Sequence, residues 1–278
     1  VKVIKYRDVK ELRQKYRYSI ILLKQLVKTD FKLRYKNSAL GYMWTLLRPL
    51  FLFAILYVVF VKILKTGGTV PHFGVYLLLG IVLWNYFVEV TTGSIGAIVG
   101  KGDIMRKVNF PRYVIVLAGS FSALINLAFN FLVVGVFMYF SKTEVSSYAI
   151  LLPLLIIELF IFSLSVGFLL SALYVKFRDI GFIWEVAVQG AFFAIPIMYS
   201  FSFVLDRSQL LAKLLISNPV AQIIQDARYM LISPKTITTY TVFGTTWAYL
   251  IPAGIVIITA LVSVTYFRKE APSFAENV

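Results

Sequence analysis

The chain has 278 residues, of which 59% are hydrophobic and only 15% charged, and its formal net charge is +15. A soluble domain is nearer half apolar and a quarter charged; the excess here is gathered into long runs, such as 150–173, that do not alternate as transmembrane barrel strands do. No cysteine and one histidine, His72, are present, which excludes disulfides, thiolate metal sites and a cysteine nucleophile, and argues against a Ser-His-Asp triad or a histidine metal cluster.

In chain order, 2–36 is charged with interleaved apolar residues. Ile20, Leu23, Leu26, Val27 and Phe31 recur at helical spacing opposite Lys24, Lys28 and Lys32, which predicts a basic amphipathic helix lying in a membrane interface. The first residues are basic with no early apolar core, so no cleavable signal is expected. From Asp30 to Pro49 the chain changes solvent: Lys32, Arg34, Lys36 and Arg48 stay on the water side, and Tyr35, Tyr42 and Trp44 suit the headgroup layer. Residues 46–64 form a first span of about the length a bilayer needs. Spans two to four are expected at 75–99, 113–140 and 149–175, with Gly93, Gly96 and Gly100 near the inner end of the second as sites for close helix approach. A fifth span, 180–203, is expected to kink at Pro196. Residues 206–246 read as two helices too short to cross, 208–216 and a second beginning at Asn218-Pro219 and running to about 232; Asn before Pro at the first turn is a helix start. A sixth span, 247–267, ends at Arg268-Lys269.

This topology makes the chain an all-α integral membrane protein: an amphipathic interface segment over 1–45 and a six-helix transmembrane domain over 46–278, with both termini cytoplasmic and re-entrant helices at about 208–232 outside. The segments read as cytoplasmic, including 101–112 and the turn 176–179, hold 21 of the 28 Lys and Arg, a strong positive-inside bias. The anionic inner leaflet accounts for the basic charge, so no nucleic-acid partner is expected. Gly96 to Gly102 comes close to a phosphate-binding loop but fails it, because 95 is Ile and 102 is Gly. If the protein does active work, another subunit must supply the energy, and no cofactor or metal is expected in this chain.

Polar residues fall at membrane depth. Asn85 and Glu89 share one helix face, as do Asn126 and Asn130; Glu158 lies mid-span, and Glu185 neighbours Gln189. Such residues turn from lipid toward protein or a watery path. They suit a pathway wall or interhelical hydrogen bonding, and Glu89 with Glu158 also opens a proton-coupled carrier as a competing reading. The tyrosines at span ends suit a route for sugars, whose rings stack on aromatic faces.

Asp30-Phe-Lys-Leu-Arg-Tyr-Lys-Asn-Ser-Ala-Leu-Gly-Tyr-Met-Trp followed by Leu-Arg-Pro49 resembles the opening signature of ABC-2 type permeases that export polysaccharides such as O-antigen, teichoic acid and capsule. Val108-Asn-Phe-Pro111, Phe177-Arg-Asp-Ile180, Pro196-Ile-Met-Tyr199, Asn218-Pro219 and Phe267-Arg-Lys-Glu with Phe274-Ala-Glu276 are similar to that family in the same order. The resemblance implies a homodimer in a bacterial or archaeal cytoplasmic membrane, with two ATPase subunits on its inner face and a polyprenyl-linked glycan as substrate. It implies that Lys101, Gly102, Asp103, Ile104, Met105, Arg106 and Lys107 form the principal coupling helix and that Arg178 and Asp179 make the second ATPase contact. Asp30, Arg34 and Tyr35 would belong to the interface helix, and Pro196, Tyr199, Asn218 and Pro219 to the outer gate region. Arg34, Lys36 and Arg48 suit a pyrophosphate, since guanidinium forks match phosphate; headgroup anchoring is the plainer role. An ABC-2 exporter of another lipid or of drugs is the nearest alternative.

Overall fold

The computed structural model describes residues 17–30, 40–65, 70–102 and 110–274, and every regular element among them is helical. Helix α1 covers 17–30. Its Leu22, Leu23, Leu26 and Val27 are half-buried while Lys24 and Lys28 are exposed, the two-faced pattern expected; Ile20, expected on the apolar face, is exposed. The expected interface residues Arg34, Tyr35 and Lys36 lie outside the described residues.

The bundle is organised around α3 (Phe73–Ile95), in which 17 of 23 residues are buried. A helix apolar on all but the short face carrying Asn85 and Glu89 packs into a core on its remaining sides. Packed around it are α2 (Trp44–Tyr57), α4 (Tyr113–Ser141), α5 (Leu152–Lys176), α6 (Ile180–Ala194) and α9 (Pro219–Leu231), while α11 (Leu250–Glu270) lies along α5. The outer helices turn large apolar side chains outward: Leu132 and Val136 on α4, Leu154 and Ile157 on α5, Ile257 and Leu261 on α11. Among the described residues, five helical stretches, 41–63, 73–95, 113–141, 147–176 and 246–273, are long and apolar enough to cross a bilayer. The closest approaches to α3 among the described residues occur at two glycines. A Cβ on Gly80 would stand 2.5 Å from the Arg228 guanidinium, and one on Gly167 of α5 would stand 2.6 Å from Ser94 Oγ. Gly93, Gly96 and Gly100 were the expected contact sites, but a Cβ on any of them meets open space. The packing puts them outside the helix contacts within this chain.

The fifth span does not form as one kinked helix. α6 stops after 15 residues, Ile195 is extended (φ −74°, ψ 135°), and a separate short helix α7 (Phe201–Arg207) follows. At 1.5 Å per residue, 15 residues reach about 22 Å, short of the hydrocarbon thickness. Pro196 is the cause, since its ring pushes the preceding residue out of the helical region and it has no N–H to continue the ladder. The freed carbonyls are taken up locally, as Tyr199 Oη donates to Ala194 O at 2.7 Å and to Phe193 O at 3.3 Å.

Beyond α7 come α8 (Gln209–Ser217), α9 and a five-residue helix α10 (Thr239–Phe243). Ser208 Oγ accepts from Leu211 N at 3.3 Å, and Asn218 Oδ1 accepts from Val220 N at 2.9 Å. Each cap satisfies a donor the helix start leaves free, which is why a boundary falls at 218. At the end of the bundle that carries Arg112, Lys176 and Arg268, Phe267 and Phe274 pack with Phe168, at ring-centroid distances of 4.9 Å (Phe168–Phe267) and 5.3 Å (Phe267–Phe274). There the Arg112 guanidinium donates to Ala271 O. Residues 271–274 are thereby folded back onto the basic end.

Candidate functional site

α3 and α4 place their polar pairs against each other. Asn85 and Glu89 sit one turn apart on α3, Asn126 and Asn130 one turn apart on α4, and the two faces meet beside the first turns of α2. Asn126 Nδ2 donates to Glu89 Oε1 at 2.7 Å. Asn130 Nδ2 is shared between Asn126 O at 2.8 Å and Thr45 O at 3.3 Å. This joins three helices through two amides. Such bonds hold helices where no hydrophobic force acts between them and lipid.

The same residues line a cavity of about 670 Å³ between α2, α3 and α4. Trp44, Arg48 and Pro49 form its α2 wall, Asn85, Glu89 and Gly93 its α3 wall, and Asn126 and Asn130 its α4 wall. Asn126 is 4% exposed, and its Oδ1 has no hydrogen-bond partner among the described residues. A buried amide oxygen without a donor costs about 1–3 kcal/mol; the cavity itself presents a carboxylate and an exposed guanidinium. That set can hydrogen-bond hydroxyls and phosphates.

The remaining expected residues fall elsewhere. Lys101 and Gly102 stand at the basic end, and Asp103, Ile104, Met105, Arg106 and Lys107 lie outside the described residues. Arg178 and Asp179 are exposed in the turn between α5 and α6, with the Arg178 guanidinium 5.2 Å over the Tyr174 ring. Asp30 closes α1, half-buried. Glu185 and Gln189 face outward on α6, among exposed Phe182, Ile183, Val186 and Phe193. Glu158 does not join the α3–α4 cluster; it faces Gln222 and Asp226 of α9.

α9 is the element that sequence reasoning undervalued. Twelve of its 13 residues are buried, among them Gln222, Gln225, Asp226 and Arg228. Arg228 is 0% exposed and points at α3 and the Pro196 break. Its Nε donates to Tyr76 O at 3.1 Å, Nη1 to Pro196 O at 2.7 Å and Nη2 to Ile197 O at 2.8 Å, with the guanidinium carbon 3.4 Å from the Tyr76 ring centroid. Burial lowers its pKa to about 10, which leaves it charged at neutral pH. Burial raises the Asp226 carboxyl to about 6, against hydrogen bonds from Gln222 and Tyr249 that favour the charged form. The signal available in the sequence was four polar side chains in a 13-residue helix flanked by apolar segments.

The family profile described as ABC-2 type transporter matches residues 21–232, from within α1 to the end of α9. The chain belongs to the ABC-2 type transporter family. With five crossing-length helical stretches among its described residues, this ABC-2 chain is a multi-pass membrane protein and a transport component. It is 28% identical over 216 residues to the O-antigen export system permease protein RfbA of Klebsiella pneumoniae, covering 77% of this chain and 82% of the relative. It is 28% identical over 203 residues to the RfbA of Myxococcus xanthus, covering 72% and 76%. A second Klebsiella pneumoniae RfbA is 26% identical over 216 residues, covering 77% and 82%.

Proposed function

We propose that this chain is the permease subunit of an ATP-driven exporter that carries a lipid-linked polysaccharide of the O-antigen class across the cytoplasmic membrane of a bacterium or archaeon. The observation that carries the reading is the match to relatives named as O-antigen export permeases over about three quarters of the chain. The α2–α3–α4 cavity supports it, since amides and a carboxylate suit sugar hydroxyls and Arg48 suits a pyrophosphate. A teichoic acid or capsular polymer belongs to the same chemical class.

In this reading α6, with the chain through the Pro196 break, supplies a sixth crossing, and both termini are cytoplasmic. The protein works as a homodimer. None of the residues of α6 is buried and Phe182, Ile183, Val186 and Phe193 are exposed, which fits a face that meets a second copy or the glycan. Two ATPase subunits hold ATP and Mg and grip residues 101–107 and Arg178-Asp179. Residues 30–36 with Arg48 lie at the headgroup level. The Pro196–Tyr199 break and the Asn218-Pro219 boundary form the hinge points of the outer gate. ATP-driven approach of the ATPases tilts the two halves and opens a path.

The test is co-expression with a cognate ATPase subunit in a strain deleted for its own exporter. The intact pair restores surface polysaccharide and copurifies. Deletion of residues 102–107 abolishes both copurification and export. Retention of ATPase binding by that deletion, or export that persists without ATP, overturns the reading.

A further inference from the structure

A second large cavity, of about 960 Å³, lies between α5, α9 and α11, away from the α2–α4 site. Its two parts differ in chemistry. One is a trough of Leu154, Ile157, Ala253 and Ile257, and Leu154, Ile157 and Ile257 are exposed, so the trough opens on the surface that faces lipid. The other is polar. Glu158 and Asp226 lie within Coulombic reach of each other, with Gln222 between them and Tyr148, Tyr229 and Tyr249 around them.

Gln222 and Asp226 are 2% and 4% exposed. Gln222 Nε2 donates to Asp226 Oδ2 at 2.6 Å and Tyr249 Oη donates to Oδ1 at 3.3 Å. Gln222 Oε1 is buried with no hydrogen-bond partner among the described residues. Among those residues no lysine, arginine or histidine lines the cavity. Arg228, two positions from Asp226, is committed to carbonyls on the opposite side of α9. The polar part therefore offers two carboxyl groups among three tyrosines, without a cation from its described lining.

Each feature narrows the occupant. Two carboxylates repel an anionic headgroup. Ring faces attract organic cations. Carboxylate oxygens accept N–H donors, which a primary ammonium has and a quaternary one lacks. An apolar trough open to lipid suits an acyl chain, whereas a bare metal ion leaves trough and rings unused. We infer that this cavity is a lipid site that takes a phospholipid with a primary-ammonium headgroup, its ammonium between Glu158, Gln222 and Asp226 and one acyl chain along α5 and α11. This assignment is independent of which polymer is exported.

Native mass spectrometry of the purified full chain, offered equal amounts of phosphatidylethanolamine, phosphatidylcholine and phosphatidylglycerol, tests it. The wild type retains ethanolamine lipid over glycerol lipid by about tenfold, the scale of one charge-assisted hydrogen bond, with choline lipid in between. The Glu158→Gln/Asp226→Asn variant loses that preference while eluting and melting as a folded protein. If the double variant does not fold, Tyr229→Leu serves instead and lowers ethanolamine-lipid retention severalfold. Equal retention of glycerol and ethanolamine lipids by the wild type overturns the inference, as does a preference that survives the folded double or Tyr229→Leu variant. Displacement of the lipid by millimolar calcium, in the wild type alone, reassigns the cavity to a divalent cation and overturns it too.

Discussion

Replacing Arg228 by Met keeps a long apolar stem and removes every donor. Pro196 O and Ile197 O lie in the non-helical break, and among the described groups no second donor reaches them. Two orphaned buried carbonyls cost about 1–3 kcal/mol each, so Arg228→Met loses about 2–6 kcal/mol. An apolar replacement of a buried charge is neutral only when its partners are replaced too, and backbone carbonyls cannot be. At about 2–4 °C per kcal/mol for a chain of this size, the melting temperature falls by on the order of 10 °C. Gly80→Ala attacks the same contact from α3: its Cβ would meet Arg228 Nη2 at 2.5 Å, and a guanidinium held by three hydrogen bonds cannot swing aside. The expected cost is about 1–3 kcal/mol. Because both changes act through one contact, they are not additive; in a chain already carrying Arg228→Met, Gly80→Ala costs less than in the wild type. Thermal unfolding of detergent-purified protein, with limited proteolysis of residues 195–207, reads all four chains. Arg228→Met melting within about 2 °C of wild type, or strict additivity with Gly80→Ala, refutes the reasoning.

Asn126→Asp sets a carboxylate where an amide now donates to Glu89 at 2.7 Å; it lowers stability and export more than Asn126→Ser does, a ranking read by melting temperature and surface-polymer yield. Asp226 carries a pH signature. Its folded pKa of about 6 is above the ordinary carboxyl value of 3.8, so between those values the folded state holds the proton more tightly. This contribution to stability is full below about pH 4 and is lost as pH rises through 6, amounting to about 3 kcal/mol. Asp226→Asn removes it, flattening the fall in melting temperature between pH 4 and 7; an unchanged pH slope contradicts the burial argument. Gly167→Ala forces a Cβ to 2.6 Å from Ser94 Oγ and destabilises by about 1–3 kcal/mol, and Ser94→Gly in the same chain restores most of the loss.

Much of the frame was legible in the residues. The spans over 46–64, 75–99, 113–140, 149–175 and 247–267 were readable because crossing a bilayer demands a continuous apolar run, and each corresponds to a crossing-length helical stretch. The boundary at 218 was readable because a cap and a proline act within one turn. The polar pairs Asn85/Glu89 and Asn126/Asn130 were readable as shared faces from spacing alone. Pro196 was visible, but whether it kinks or ends a helix depends on what receives the freed carbonyls, and those receivers, Tyr199 and Arg228, come from the folded chain.

The sequence by itself determined which segments leave water, where helices begin, and which polar side chains ride together on one face, because each follows from interactions within a few residues of chain. Only the tertiary structure decided that Glu89 meets Asn126, that Glu158 meets Asp226 rather than Glu89, that Gly80 and Gly167 rather than Gly93 are the points of close approach, and that Arg228 ties α9 to a broken α6. Those pairings join residues up to 152 positions apart, and the rotation of one helix against another is set by how side chains interlock across the contact, which no local spacing encodes.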